Sequence, residues 1–248
     1  MVNLEIRVAA MLQRLRVHVL EANLELVRAG LVFHTFGNVS GISREEKLVV
    51  IKPSGVPYDD LTPEHLVITD LDGKIVEGHL RPSSDLATHL LLYRRFSEIG
   101  GVAHTHSEYA TAWAQARSPI PCFGTTHADY FQGDVPVTCD MSDVEIADDY
   151  EKNTGEVIVR SLPDGNALGT PGILVASHGP FAWGKDARAA AHNAAVIESI
   201  ARMAYFTLNI NPEAKPVGNT LHDKHYLRKH GKSAYYGQLA GKHDSSSQ

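Results

Sequence analysis

Cysteine is nearly absent: Cys122 and Cys139 are the only two in 248 residues, so no disulfide framework holds this chain together. There is no CxxC pair, and a metal held by this chain would sit on imidazole and carboxylate rather than on thiolate. No apolar run approaches the roughly 18 residues that a membrane span needs. The opening Met1-Val-Asn-Leu-Glu-Ile-Arg7 lacks the basic, apolar, small-residue order of a secretion signal, which predicts a cytoplasmic protein. A surplus of basic charge is missing too. The net charge of −6 argues against a nucleic-acid partner gripped through a general basic surface. Neither a repeat nor a linker-like stretch divides the chain, so residues 1–238 are expected to form a single domain and 239–248 a disordered tail.

What is present is ordinary globular composition, 43% hydrophobic and 21% charged, with 14 histidines. Leu4, Val8, Met11, Leu12, Leu15, Val19, Ala22 and Leu26 recur at three- and four-residue steps, predicting a first helix that stops at Gly30. Short β-rich runs follow, Leu48–Ile51 and Leu66–Thr69, and Asp72-Gly73 signals a hairpin. Helical spacing returns over Asp85–Phe96. Val102–His106 reads as a strand entering a helix capped near Ser107, and Ser142-Asp-Val-Glu145 has capping-box spacing. Ile173–Ala176 reads as a buried strand that ends in a turn at Ser177-His178-Gly179-Pro180. A long helix is expected from about Asp186 to before Pro212, with Val196, Ile200, Met203 and Thr207 on one face. Helices flanking short strands without βαβ spacing define an α/β domain with a mixed or antiparallel central sheet.

Chemistry concentrates in four places. On a strand, His104 and His106 project to one face at chelating separation, and His178 closes another apolar strand. Three such imidazoles with open positions describe a catalytic divalent site better than a closed structural one. His18, His65, His79 and His192 lack such pairing. Three turn-like segments suit an anion: Gly37–Gly41, Lys52-Pro-Ser-Gly55 and Arg81-Pro-Ser-Ser-Asp85, with Ser83 and Ser84 at a helix N-terminus. Thr125-Thr-His-Ala-Asp-Tyr130 is a polar loop dense enough for proton transfer. The stretch His222–His230 with Ala234–Gln238 reads by composition as an exposed amphipathic helix, although its cations and tyrosines also suit a phosphate or a neighbour's site.

Taken in order, Gly37-Asn-Val-Ser40, Ile51-Lys-Pro-Ser-Gly55, Pro82-Ser-Ser-Asp85, His104-Thr-His106, Gly124–Tyr130, Ser177–Trp183, Lys224–Gly231 and Tyr235-Tyr-Gly-Gln238 resemble the class II aldolase/epimerase family over about residues 18–238. The resemblance implies a single-domain α/β/α fold with a mostly antiparallel sheet and a homotetramer whose active sites lie between subunits. It implies one divalent metal per subunit, zinc first with Mn²⁺ or Co²⁺ as substitutes, surrounded by Asp85, His104, His106 and His178. Gly37, Asn38, Lys52, Ser54, Gly55, Ser83 and Ser84 would hold a sugar-phosphate substrate. Asp129 and Tyr236 would be the acid/base pair reaching the adjacent subunit's metal, with Thr125, Glu151 and His225 assisting. The implied reaction inverts C4 of L-ribulose 5-phosphate by reversed aldol cleavage of C3–C4 and recombination on the opposite face.

Two departures stand out: Phe36 occupies a position where the family's epimerases often carry Trp, and ten residues follow Gln238 beyond the usual end. A sugar-phosphate aldolase of the same family is the nearest alternative. Asp85, where aldolases carry Glu, speaks against it. A non-catalytic zinc-stabilised binding module is the alternative of another class, and the intact histidine trio speaks against that.

Overall fold

The computed structural model describes residues 2–162, 166–231 and 234–235. Its centre is a seven-stranded sheet in which every paired strand is antiparallel: β1 (Asn38–Ser43), β2 (Leu48–Ile51), β3 (Val67–Asp70), β4 (Ile75–Glu77), β5 (Gly101–His104), β6 (Gly172–Val175) and β7 (Gly179–Gly184). Their spatial order is β4-β3-β2-β1-β5-β7-β6. The helices are α1 (Val2–Arg28), α2 (Leu86–Arg95), α3 (Glu108–Gln115), α4 (Thr125–Ala128), α5 (Asp143–Ala147), α6 (Tyr150–Ser161), α7 (Ala187–Ile210) and α8 (Asn219–His230).

Both faces of the sheet are covered, which explains why Leu48-Val-Val-Ile51 is apolar throughout instead of alternating. Val50, Ile68, Val39, Ala103 and Ala182 pack toward the layer of α1, α3 and α7. Val49, Ile51, Val67, Val102, Phe181 and Trp183 pack in the opposite core, with the apolar face of α2 and with Ile158 of α6. The result is the three-layer α/β/α arrangement, and no described helix is long and apolar enough to cross a membrane.

Most predicted elements appear where the sequence puts them. α1 stops before Gly30, whose φ of 68° suits a residue without a Cβ. The Ser142 hydroxyl accepts from the backbone N–H of Glu145, completing the capping box of α5. Asp186 caps α7 through its side chain, which accepts from Ala189 N at 2.8 Å.

Four local readings change. Asn38–Gly41 belongs to strand β1, and only Gly37 is turn-like, with a φ of 90°. Gly179-Pro180 does not turn the chain but opens β7; the turn is Ala176-Ser177-His178, with Ser177 left-handed at φ 62°. The core-facing side of α7 consists of Ala187, Ala190, Ala191, Ala194, Ile197, Ile200, Ala201 and Ala204, while Met203 is exposed. Small side chains win there because the helix runs tight against glycine-bearing strands: a Cβ on Gly184 would stand 2.6 Å from the Cβ of Ala189. Thr125–Ala128 is a one-turn helix rather than a loop.

Candidate active site

Antiparallel register assembles the site. Asn38 at the start of β1 pairs with His104 at the end of β5, and His104 pairs with Phe181 near the start of β7. Three adjacent strands thus deliver residues to one end of the sheet, and Lys52 leaves β2 at the same end, directly after Ile51. The turn between β6 and β7 brings His178 to that point, and α2 begins there with Asp85 at its N-cap.

The histidine trio converges. His104, His106 and His178 each offer a ligand atom, all lying within 4.8 Å of one another. β5 ends at His104, so His106 reaches the cluster from the connection to α3 and not from a regular strand. The Nδ1 of His104 lies 3.0 Å from the carbonyl oxygen of Pro180. A carbonyl only accepts, so Nδ1 carries the proton and Nε2 presents a lone pair toward the cluster. That Nε2 stands 3.1 Å from the Nε2 of His106. Phe181 stacks on the His104 ring at 4.1 Å between centroids and fixes its plane.

Burial lowers His106 to about 4, assisted by its neighbour His104. Burial likewise lowers His178 to about 3, with His104 and His106 adding to the effect. Three crowded imidazoles, with one lone pair aimed inward by a carbonyl behind the ring, form a donor set that fits zinc or a similar transition-metal dication.

A cavity of about 370 Å³ opens on the trio. Gly37, Asn38, Lys52, Ser54, Gly55, Ser83, Ser84, Asp85 and Glu151 all line it, together with the three histidines. Gly37 combines a positive φ with close packing, since a Cβ there would meet the carbonyl oxygen of His104 at 3.1 Å. The carboxamide of Asn38 donates to Ser83 Oγ at 3.0 Å and to Asp85 Oδ2 at 2.6 Å, tying two of the anion-friendly segments together. Burial opposes ionisation of Asp85, yet His104, His89 and the Asn38 hydrogen bond hold its carboxyl below the usual range. Asp85 stands beside the tight trio, in the electrostatic reach of His104 and His178.

Lys52 is 1% exposed, an unusual place for an ammonium. Its Nζ donates to the carbonyl oxygens of Pro53 (3.3 Å) and Val56 (3.0 Å) and lies 4.7 Å from the centre of the Tyr58 ring. Burial lowers it to about 8. The cavity therefore joins a nitrogen donor set at one end to a lysine, serines and flexible backbone suited to an anion at the other.

Tyr150 is the residue that sequence reasoning missed. It lines the cavity, and its hydroxyl lies 3.3 Å from Nδ1 of His178. No local pattern marks it, because it reaches the site only through the packing of α6 against α2. Phe36, noted as a departure, forms part of the rim, 5.8 Å from the His106 ring between centroids.

Asp129, Thr125 and His225 do not line this cavity. The structure instead brings Asp129 and His225 to each other, 3.1 Å apart, where α8 meets α4. Tyr236 and the tail 239–248 lie outside the described residues.

Three imidazoles at one sheet end, beside a cavity lined by a lysine and serines, sit on an α/β/α frame of the class II aldolase type. Residues 17–205 match the family model described as the class II aldolase and adducin N-terminal domain, and the chain belongs to that family. Among curated relatives, the chain is 56% identical over 227 residues to L-ribulose-5-phosphate 4-epimerase UlaF of Salmonella paratyphi B, covering 92% of this chain and 100% of the relative. The same identity and coverage hold for the protein of that name from Salmonella typhi. Among solved structures, an L-fuculose 1-phosphate aldolase superposes with a TM-score of 0.74 at 24% identity, over 87% of this chain and 95% of that one. YgbL of Klebsiella pneumoniae, described as a putative aldolase/epimerase/decarboxylase, gives a TM-score of 0.68 at 24% identity over 86% of this chain and 98% of that one. At that identity the two structures speak for the fold alone.

Proposed function

We propose that this chain is a metal-dependent epimerase that converts L-ribulose 5-phosphate to D-xylulose 5-phosphate, a cytoplasmic homotetramer with its active sites between subunits. The observation that carries the reading is a single cavity joining the histidine trio to a buried lysine and the Ser83–Ser84 segment. The 56% identity to proteins named L-ribulose-5-phosphate 4-epimerase, across their whole length, supports the choice of substrate.

The chemistry sets the route. The hydrogen on C4 is not adjacent to the carbonyl and is not acidic, so inversion proceeds by breaking C3–C4. The C4 hydroxyl gives up its proton, C4 becomes the aldehyde of glycolaldehyde phosphate, and the electron pair of the bond passes into the enediolate of dihydroxyacetone. Rotation of the aldehyde and re-formation of the bond on its other face give the epimer. His104, His106 and His178 would hold a divalent cation, zinc first, which supplies Lewis acidity where negative charge develops on oxygen.

Everything else falls to the chain. Lys52, Ser54, Gly55 and Ser83–Ser84, with Gly37 and Asn38, grip the phosphate, so that the aldehyde fragment stays bound while it turns. Asn38 holds Asp85 Oδ2 and fixes the carboxylate at the edge of the trio. Two faces of an aldehyde need two proton-handling groups, and Asp129 and Tyr236 of an adjacent copy serve in those roles, with Thr125, Glu151 and His225 assisting. Asp129 lies outside the cavity of its own chain, which is in keeping with a site completed across an interface.

The test is direct. Purified protein supplied with zinc and L-ribulose 5-phosphate is expected to form D-xylulose 5-phosphate without accumulating free glycolaldehyde phosphate. Rapid aldehyde release from L-fuculose 1-phosphate, with no turnover of the pentulose phosphate, would replace this reading with the aldolase one.

A further inference from the structure

The helix α8 has no buried residue, yet it lies against α4 in a fixed pose. Its attachment is polar and centres on Asp129, the residue at the C-cap of α4. Arg228 meets the Asp129 carboxylate with both arms of its fork: Nε donates to Oδ1 at 3.0 Å and an Nη donates to Oδ2 at 2.7 Å. The pair is sheltered, with the two side chains 24% and 11% exposed. His225, one turn earlier on the same face of α8, adds a contact to Oδ1 at 3.1 Å. Lys229 stands 3.8 Å from Oδ2, with its ammonium 4.0 Å from the centre of the Tyr130 ring. The ring nitrogen Nε2 of His230 lies 2.9 Å from the backbone oxygen of Asp129. Four consecutive-turn side chains of one helix thus surround one carboxylate residue.

We propose that Arg228 is a positioning residue for Asp129, fixing the plane of its carboxylate and keeping it a proton acceptor during epimerisation. The inference rests on the proposed role of Asp129 and goes beyond it: Arg228 meets the Asp129 carboxylate and, like Asp129, does not line the cavity of its own chain. A bidentate guanidinium orients a carboxylate in plane and direction, which a lysine's point charge does not. Oδ1 is engaged by both Arg228 and His225, so Oδ2, with the single hydrogen bond from Arg228, keeps a lone pair for an incoming hydroxyl. Burial works against ionisation of Asp129, but the hydrogen bonds from Arg228 and His225, with Lys229 nearby, hold it below the usual carboxylate range. A surface pair of this kind would contribute little to stability. This one is sheltered on a helix with no apolar anchor, and its effect falls on where the carboxylate points.

The experiment compares Asp129→Asn, Arg228→Ala, Arg228→Lys and the Asp129→Asn/Arg228→Ala double variant for turnover of L-ribulose 5-phosphate. Removing a proton-transfer group costs on the order of 10²- to 10⁴-fold in kcat, and Asp129→Asn should fall in that range. Arg228→Ala should lose at least about tenfold in kcat with KM within about twofold, because the phosphate cradle is untouched. Arg228→Lys, which keeps the charge and loses the fork, should fall between Arg228→Ala and the wild type in rate and unfold at the wild-type temperature. If Arg228 acts only through Asp129, the double variant is no slower than Asp129→Asn alone. Added methylguanidinium should restore part of the Arg228→Ala rate and none of the Asp129→Asn rate. Full activity in Arg228→Lys, or losses that multiply in the double variant, would overturn the positioning role while leaving Asp129 in place. Full activity in Asp129→Asn, or a wild-type protein inert toward the pentulose phosphate, would overturn the parent reading and this inference with it.

Discussion

Lys52 gives the site a pH signature that can be worked out from its surroundings. Burial lowers its ammonium to about 8, where an exposed lysine stays charged past 10. A phosphate ester is fully dianionic above about pH 7.5, so between pH 7.5 and 9.5 the lysine is the partner whose charge changes. With a midpoint near 8, the protonated fraction falls from about three quarters to about 3% over that window. KM for L-ribulose 5-phosphate is then expected to rise about twentyfold, and a Lys52→Arg variant, charged throughout, should show a weaker KM overall but no such rise. The same shift has a stability consequence of definite sign. The unfolded chain binds the proton more tightly than the folded one, so stability increases as pH rises from about 8 toward the unfolded value and is lowest, in this respect, below 8. Lys52→Met should accordingly raise Tm at pH 7 by about 2–6 °C while abolishing phosphate binding. Initial rates against substrate concentration across the pH series supply KM, and calorimetry supplies Tm. A wild-type KM that stays flat from pH 7.5 to 9.5 would refute the assignment of Lys52 to the phosphate.

The metal and the assembly yield two more expectations. His106→Asn should weaken zinc binding by at least about 10- to 100-fold in competition with a chromogenic chelator, independently of any turnover, and stripping the wild-type protein of metal should abolish activity until zinc is restored. If the site is shared between subunits, a mixture of Tyr236→Phe chains and His106→Asn chains, each nearly inactive, should regain activity after dissociation and reassembly; mixed oligomers that stay inactive would exclude a shared site.

The fold was legible wherever a local rule governs it. The periodicity of α1, the Gly30 stop, the Asp72-Gly73 hairpin and the Ser142–Glu145 capping box each act within a few residues and appear in place. The misreadings arise where a contact distant in sequence outweighs a local signal. Gly179-Pro180 reads as a chain reversal, yet Pro180 pairs with Leu174 inside a ladder, and its missing N–H is harmless because its carbonyl is the working atom, facing His104 Nδ1. Gly179 is there for a comparable reason: a Cβ would come within 2.8 Å of the Thr105 oxygen. The burying face of α7 was misjudged because hydrophobicity alone favours Val196 and Met203, whereas the approach of helix to strand demands alanine. Glu198, whose two carboxylate oxygens each accept a backbone N–H at the start of α3 at 2.9 Å, could not be found from spacing at all.

The candidate site was more legible than the frame around it, and the register explains why. His-x-His, Lys52-Pro-Ser-Gly55 and Pro82-Ser-Ser-Asp85 are short motifs whose chemistry is carried by neighbouring residues, so their meaning survives without a tertiary context. Their convergence does not follow from the motifs; it follows from β1, β2, β5 and β7 lying side by side so that alternate strand starts and ends meet at one edge. That edge gathers polar groups that the sheet would otherwise exclude, Asn38, Lys52 and His104 among them, each at most 2% exposed. Such groups are destabilising unless paired, and the pairing seen here is incomplete: the Oδ1 of Asn38 is buried with no hydrogen-bond partner among the described residues. An acceptor left open beside a cavity lined by Ser83, Lys52 and three imidazoles is suited to a hydroxyl of a ligand, and the apolar layers on both faces of the sheet supply the stability that lets it stay open.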